Sequence, residues 1–262
     1  MNKFRVMEIH IGTSGWNYKH WRGWFYPEDI PQKDWLNFYV KKFKTVELNN
    51  SFYRLPSKEV FKKWKTSVPA DFIFSVKGSR YITHMKKLND PEETLKDFLG
   101  NVKGLGKKAG PVLFQLPPGW ELNIERFSEF IKALPKQLKV TFEFRNSSWW
   151  NPEVYDLLKK KNAAFCIYEL GGVLSPKEIT ADFAYVRLHG PGNKYQGDYD
   201  QKTLSVWADL FISWKNKLKE IYCYFDNDQN AYAAKNALEL INIVNHQNSN
   251  SPNLNQKFYK FF

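Results

Sequence analysis

The chain has 262 residues and a formal net charge of +12, with 43% hydrophobic and 25% charged residues. This balance excludes a disordered chain, no apolar run reaches the about 18 residues of a transmembrane helix, and two cysteines are too few for a disulfide scaffold. The first residues, MNKFRVMEIHIG, lack the apolar segment of a secretory signal, so we expect a cytoplasmic protein.

Eight short apolar runs along the chain are predicted to be strands: Met7–Ile11, Thr45–Leu48, Phe72–Val76, Val112–Gln115, Val140–Phe144, Phe165–Tyr168, Phe183–Leu188 and Ile221–Phe225. Amphipathic or lysine-rich segments predict helices near residues 31–43, 57–66, 91–103, 123–134, 152–161, 203–219 and 231–244. Strands that alternate with helices predict a parallel sheet, and eight such units close into a TIM (β/α)8 barrel, an α/β fold. We therefore predict a single domain over residues 1–262, with the barrel core at about 6–245 and a polar tail at about 246–262.

One unit of the barrel is expected to be incomplete. Only the segment Glu169–Asp182 separates the sixth and seventh strands, and it contains Gly171, Gly172 and Pro176. Glycine and proline disfavour a helix, so we expect a reduced or missing helix there.

Lysine supplies most of the positive charge, with 32 of the 39 basic residues. The lysines fall on almost every predicted helix, where solvated helix faces explain them without a ligand. The excess still favours acidic partners. We expect an anionic small molecule, keep nucleic acid as an alternative, expect no membrane, and leave the oligomeric state open.

Polar residues at the strand ends predict a functional site. Active sites of this barrel class lie at the carboxyl ends of the strands. Side chains alternate along a strand, so polar residues two apart share a face while their apolar neighbours pack against helices. The residues that share the inward face are Glu47 and Asn49, Ser75 and Lys77, Glu143 and Arg145, and Arg187 and His189. The alternative is a set of structural ion pairs, such as Glu143–Arg145 or Glu47–Arg187.

Arginine and aromatic residues are concentrated in the loops after these strands. Arginine forms planar, bidentate contacts with carboxylate or phosphate, and aromatic rings stack on sugars or bases. The same aromatic rings could instead pack one loop on another. The loop residues concerned are Arg22, Arg54, Arg80, Trp16, Tyr18, Trp21, Trp24, Trp120, Trp149 and Trp150.

A divalent metal is a weaker possibility than an anion site. Glu47, Glu143, His189 and Asp226 offer enough ligand atoms. The cations Lys77, Arg145 and Arg187 at the same strand ends would repel a metal ion, so we expect no cofactor.

Seven strings at the strand ends, in chain order, resemble the domain-of-unknown-function 72 family, the YecE-like proteins: GTSGW, VELNNSFYRLP, FSVKGSRYITH, FQLPP, FEFRNSSW, YVRLHG and YFDND followed by AKNAL. The resemblance runs from about Ile9 to Leu240. It implies a TIM barrel but no established activity. One departure from the family pattern is Asp226-Asn227-Asp228, where paired asparagines are usual. The added carboxylate argues against a simple anion subsite there and favours the metal alternative slightly.

The favoured functional hypothesis is a hydrolase of a phosphoester or glycosidic bond. Its catalytic residues would be Glu47, Glu143 and His189, which supply acid–base chemistry. Two alternatives are a nucleic-acid-binding or processing protein and a non-catalytic metabolite-binding module. The predicted substrate-binding residues are Ser14, Trp16, Asn49, Tyr53, Lys77, His84, Gln115, Arg145, Trp149, Arg187 and Asn227.

Overall fold

The computed structural model describes residues 7–250 and confirms the predicted barrel. Its strands are β1 (Glu8–Thr13), β2 (Thr45–Leu48), β3 (Ile73–Lys77), β4 (Ala109–Leu116), β5 (Val140–Phe144), β6 (Ala164–Leu170), β7 (Val173–Leu174), β8 (Phe183–Leu188) and β9 (Glu220–Phe225). All except β7 are parallel and hydrogen-bond in the order β2-β3-β4-β5-β6-β8-β9-β1.

The barrel closes where β1 meets β2. A bridge pairs Ser14 with Glu47, and the Gly15 N–H donates to the Glu47 carbonyl oxygen at 2.8 Å. A Cβ on Gly12 would lie 2.4 Å from the carbonyl oxygen of Thr45. Glycine at this position therefore allows the two strands to approach closely enough to close the barrel.

Helices surround the strands: α1 (Trp35–Tyr39), α2 (Asn50–Tyr53), α3 (Lys58–Thr66), α4 (Pro91–Val102), α5 (Ile124–Ala133), α6 (Pro152–Lys161), α7 (Gln201–Ser213) and α8 (Tyr232–Asn250). The side chains of Asn123, Asn151 and Asp200 cap α5, α6 and α7 by accepting backbone N–H bonds. The predicted polar tail begins inside α8, and its residues after 250 lie outside the described part. No helix within residues 7–250 is long and apolar enough to cross a membrane.

The connection between β6 and β8 contains no helix. Glu169 and Leu170 of β6 instead pair with Leu174 and Val173 of β7 in a short antiparallel hairpin. Its turn is Gly171-Gly172, with φ of +58° and +79°, a conformation that glycine adopts without strain. The prediction of a reduced or missing helix is correct, and a hairpin replaces it.

Two apolar clusters form the core. The larger lies between the strands and the helices and includes Val46, Val76, Phe142 and Val186, the alternating apolar positions of the strands. The smaller cluster contains Leu113, Ala164, Cys166, Phe183, Tyr185, Tyr222 and Tyr224, on the alternate strand positions that face the barrel interior. Polar groups of the strands continue this inner face toward the carboxyl ends, so the interior changes from apolar to charged along its axis.

Candidate functional site at the barrel mouth

Arg187 of β8 is the centre of the charged cluster and is completely buried. Its Nε and Nη2 donate to the two carboxylate oxygens of Glu47 at 2.9 and 2.8 Å, and Nη1 donates to Glu143 at 2.7 Å. Nη2 also donates to Asp226 at 3.1 Å. The Glu47–Arg187 ion pair considered from the sequence is therefore present, and Arg187 connects β8 with β2, with β5 and with the residue after β9.

Hydroxyl groups hold the Glu47 carboxylate from the other sides. Ser14 Oγ donates to Oε2 at 2.6 Å, and the Tyr185 hydroxyl donates to Oε1 at 2.8 Å. Burial and the Glu47 charge raise the pKa of Tyr185 well above its ordinary value, so it remains a donor. Glu47 thus has four short hydrogen bonds and no solvent exposure. This environment suits a positioning role better than the acid–base role predicted for it.

Glu143 of β5 contacts two arginines. Arg145 Nε and Arg187 Nη1 donate to its two oxygens. Burial alone would raise the pKa of Glu143, but the Arg145 and Arg187 charges lower it well below the ordinary value. Arg145 is partly exposed at the mouth, whereas Glu143 is fully buried. Arg145 is therefore the group of this pair that a ligand can reach.

His189 and Asp226 form a second acid–base pair. His189 Nδ1 lies 2.9 Å from Asp226 Oδ2, outside ideal hydrogen-bonding geometry. Its Nε2 faces Arg187 and Arg145 at 3.3 and 3.4 Å. Burial raises the pKa of Asp226, but the His189 contact and the Arg187 charge outweigh it and lower the pKa below the ordinary value. The Asp226 side chain is 17% exposed and His189 is 0% exposed, so Asp226 is the accessible member.

Lys77 and His84 lie on the β3 side of the mouth, and both side chains contact the Phe52 ring. Lys77 Nζ lies 4.4 Å from the Phe52 ring centre, and the His84 ring packs edge-to-face on Phe52 with centres 5.1 Å apart. Burial and the charges of Lys77, Arg80 and Arg145 lower the pKa of His84 to about 4. His84 is therefore neutral at physiological pH in a cationic environment.

The loop between β8 and α7 covers His189. The Tyr195 ring packs edge-to-face on the His189 ring with centres 5.4 Å apart, and its hydroxyl accepts a bond from Arg145 Nη1 at 3.3 Å. Asn227 Nδ2 donates to Gly197 O at 2.8 Å and to Asn236 Oδ1 at 2.9 Å. Asn227, predicted to bind substrate, is completely buried and instead holds the base of this loop.

The other predicted substrate-binding residues differ in how exposed their side chains are. Trp149 does not line the site as predicted, because it is completely buried. It stacks on Phe144 with ring centres 5.1 Å apart, and its Nε1 donates to Trp120 O at 2.7 Å. Tyr53 is 81% exposed at the rim. The remaining residues are buried (Ser14, Gln115) or partly buried (Trp16, Asn49) at the strand ends.

The four predicted metal ligands do not surround an open position. Arg187 lies among Glu47, Glu143 and Asp226 and occupies the place that a cation would take. Within residues 7–250, one group of three His, Cys, Asp or Glu side chains has ligand atoms close enough to share an ion: Glu8, His10 and Glu220, at the opposite end of the barrel. There Lys139 already pairs with Glu220.

The sequence interpretation missed two contributors. Tyr185 was assigned no role, although its position two residues before Arg187 places it on the same inward face. Tyr195 lies in the loop after β8 and was not among the predicted site residues. The signal for it was a single aromatic residue within the glycine-rich segment Gly190–Gly197.

Comparisons with known proteins agree with this architecture. A family model described as "Protein of unknown function DUF72" matches residues 10–257. The UPF0759 protein YunF of Bacillus subtilis is 24% identical over 269 residues, covering 90% of this chain and 94% of that protein. The UPF0759 protein YecE of Escherichia coli K12 is 25% identical over 143 residues, covering 54% of this chain and 50% of that protein.

Two solved structures have the same fold. A DUF72 family protein of Thermotoga maritima, TM1631, has a TM-score of 0.82 and 27% identity, covering 91% of this chain and 99% of that chain. The DUF72 family protein EF0366 of Enterococcus faecalis has a TM-score of 0.78 and 20% identity, covering 90% and 95%. Neither description names a substrate or a reaction.

Proposed function

The chain belongs to the DUF72 family, whose description assigns no function, and we propose that it is an enzyme acting on an anionic, ring-bearing substrate at its barrel mouth. The reaction is acid–base hydrolysis of a phosphoester or glycosidic bond. The observation that carries the proposal is the separation of accessible charge. Cations lie after β3 and β5, and carboxylates lie after β9, with the buried Arg187 cluster between them.

The cationic side of the mouth suits an anionic group. The positive charges of Arg145, Lys77 and Arg80 each lower the pKa of His84. No carboxylate charge raises it to a similar extent. Arg145 presents a planar guanidinium whose Nη1 is already used as a donor toward the Tyr195 hydroxyl. A phosphate or carboxylate can replace that hydroxyl as the acceptor. The exposed Tyr53 ring and the partly exposed Trp16 supply surfaces for stacking a ring.

The acidic side suits proton transfer. Asp226 is ionised at neutral pH, because its pKa is lowered, and it reaches the surface of the mouth. It can accept a proton from an attacking water and return it to the leaving group, while the buried His189, 2.9 Å away, positions the carboxylate. Glu47 and Glu143, predicted to be catalytic, hold Arg187 and Arg145 in place instead. The catalytic residue in this proposal is Asp226, and His189 is a positioning residue.

A thermal-shift panel combined with a chromogenic assay tests the proposal. Benzoate and other phosphorylated or carboxylated ring compounds are expected to raise the melting temperature, since a ligand at about 100 times its Kd adds about 2.7 kcal/mol. Arg145→Ala is expected to abolish the rise, whereas Lys132→Ala, on the exposed face of α5, is expected to preserve it. 4-Nitrophenyl phosphate and 4-nitrophenyl glycosides report turnover, which Asp226→Asn is expected to abolish while benzoate binding persists.

Three outcomes oppose this proposal. Stabilisation that is unchanged in Arg145→Ala would exclude the anion site. Ligand binding by the unaltered protein without turnover of any compound would favour a metabolite-binding module. Oligonucleotide binding that falls steeply with salt, with no response to small anions, would favour the nucleic-acid alternative.

A further inference from the structure

The Lys77 amine differs from Arg145 and Arg187 because it has no partner of opposite charge. Among residues 7–250, no carboxylate oxygen lies within 4.0 Å of Lys77 Nζ, and no group accepts a hydrogen bond from it. Its contact is with the Phe52 ring, whose centre lies 4.4 Å away. The ring attracts an ammonium group but does not hydrate it. The amine is therefore partly exposed at the mouth and is not neutralised by an ion pair.

Charged groups from several strands act on this amine. Burial lowers the pKa of Lys77 to about 8, and the Arg187 charge acts in the same direction, against Glu143, Glu47 and Asp226. At pH 7.5 roughly a quarter of the amine is neutral, compared with about 0.1% for an ordinary lysine. The neutral fraction is thus larger by about two orders of magnitude. Desolvation beside another cation is a recognised way to make a lysine nucleophilic.

An unused hydrogen-bond acceptor follows the adjacent strand. Leu48, the last residue of β2, is opposite Val76 of β3, so Asn49 directly after β2 corresponds in register to Lys77. The Asn49 Oδ1 atom is buried, and no group in the described part of the chain donates to it. An amine without an acceptor and an amide oxygen without a donor therefore belong to residues at corresponding positions of β3 and the end of β2. A ligand that places a hydroxyl beside the amine would satisfy the Asn49 oxygen.

We propose that Lys77 is a nucleophilic amine that forms an imine with the carbonyl group of an anionic aldehyde or ketone. The neutral amine attacks the carbonyl carbon, a C–N bond forms, the carbonyl π electrons pass to oxygen, and a proton moves from nitrogen to that oxygen through solvent to give a carbinolamine. Its hydroxyl donates to Asn49 Oδ1. The hydroxyl then leaves as water after protonation by solvent, the nitrogen lone pair forms the C=N bond, and nitrogen returns its second proton to solvent, so amine and carbonyl become imine and one water.

The charge of the mouth specifies the anionic class of carbonyl compound. Arg145, at the end of β5, is partly exposed. Its charge and the Lys77 charge both lower the pKa of His84, so both cations lie on the same side of the mouth. A carboxylate on the carbonyl compound can bind Arg145 while the carbonyl carbon reaches the amine. Imine formation itself rests on the surroundings of Lys77 and does not depend on the hydrolytic reaction proposed above.

Reductive trapping on the intact protein tests the proposal. The probes are 4-formylbenzoate and its neutral methyl ester, each incubated with sodium cyanoborohydride at pH 7.5, followed by peptide mass mapping. The expected result is labelling of Lys77 by 4-formylbenzoate at least tenfold faster than labelling of the exposed Lys132 in the same molecule. Lys77→Arg keeps the charge but cannot form an imine, so its corresponding peptide is expected to remain unlabelled.

The comparison of probes tests the anionic preference separately. The rate ratio of 4-formylbenzoate to its ester at Lys77 is expected to exceed one and to fall in Arg145→Ala. Labelling of Lys77 no faster than Lys132 would overturn imine formation, and this result needs no variant to fold. Equal rates with the two probes would overturn the anionic class. Benzoate binding without Lys77 labelling would refute this inference while leaving the proposed hydrolase intact.

Discussion

Replacing Arg187 with methionine tests the central reasoning about the barrel mouth. The variant keeps most of the side-chain volume and removes the buried charge that pairs with Glu47 and Glu143. Breaking a buried ion pair by removing one partner costs about 3–5 kcal/mol. Here Glu143 keeps Arg145, and Glu47 keeps its bonds from two hydroxyl groups, so the expected loss lies near the lower limit, about 3 kcal/mol.

Calorimetry at several pH values measures this loss. About 3 kcal/mol corresponds to a fall in melting temperature of roughly 6–12 °C for a domain of this size. The lowered pKa of Glu143 stabilises the unaltered protein above the unfolded-state pKa, and that contribution is lost as pH falls through the folded-state pKa. In Arg187→Met, Glu143 keeps Arg145 but loses the Arg187 charge, so its pKa is expected to rise and its protonation at lower pH to relieve part of the destabilisation.

The gap in melting temperature between Arg187→Met and the unaltered protein is therefore expected to be larger at pH 7.5 than at pH 5. Arg54→Met, an exposed arginine at the rim, is the matched control and is expected to change stability by less than about 0.5 kcal/mol. A loss below about 1 kcal/mol for Arg187→Met, or a gap independent of pH, would refute the assignment of Arg187 as a buried, carboxylate-paired centre.

Four further predictions concern barrel closure, helix stability, packing and charge. Gly12→Ala is expected to destabilise the barrel by about 1–3 kcal/mol, because its Cβ would meet a carbonyl oxygen at 2.4 Å. Gly100 lies on α4, where an added Cβ would meet nothing within 4 Å, so Gly100→Ala is expected to raise the free energy of unfolding by about 0.5–1 kcal/mol. Equal urea midpoints for Gly100→Ala and the unaltered protein would contradict this prediction. Trp149→Ala is expected to lower the free energy of unfolding, measured with urea, by about 3–5 kcal/mol. The Kd for benzoate, measured by calorimetry, is expected to stay unchanged, and a higher Kd would place the indole in the site. Benzoate affinity is expected to fall by up to about tenfold between pH 7 and 9 as Lys77, of pKa about 8, loses its charge, and a fall that persists in Lys77→Met would assign it to another group.

Local patterns were sufficient to predict the barrel. Alternating apolar runs located all eight barrel strands, and the short glycine-containing segment after β6 indicated the missing helix. The period of two also placed Glu47, Glu143 and Arg187 on the inward face, because side chains alternate along a strand regardless of what surrounds it. Helix ends were less accurate, since α7 ends at Ser213 and α8 continues past the predicted end.

Pairing within the mouth depended on tertiary structure. Glu47 and Arg187 are 140 residues apart, and they meet because β1 and β2 close the barrel and bring distant strand ends together. The solvent exposure of the loop residues also depended on contacts with residues distant in sequence. Tyr53 and Trp149 both follow barrel strands, but only Trp149 finds Phe144 and Trp120 to pack against.

By itself, the sequence therefore determined the family, the barrel and the face on which each strand residue lies, because these depend on local periodicity and on motifs in order. Tertiary structure decided which inward charges neutralise one another and which remain available. The physical reason is that the partner of a buried charge is chosen by distance across the closed barrel. Glu47 and Glu143 are consequently buried and hydrogen-bonded, whereas Lys77, Arg145 and Asp226 are partly exposed at the mouth.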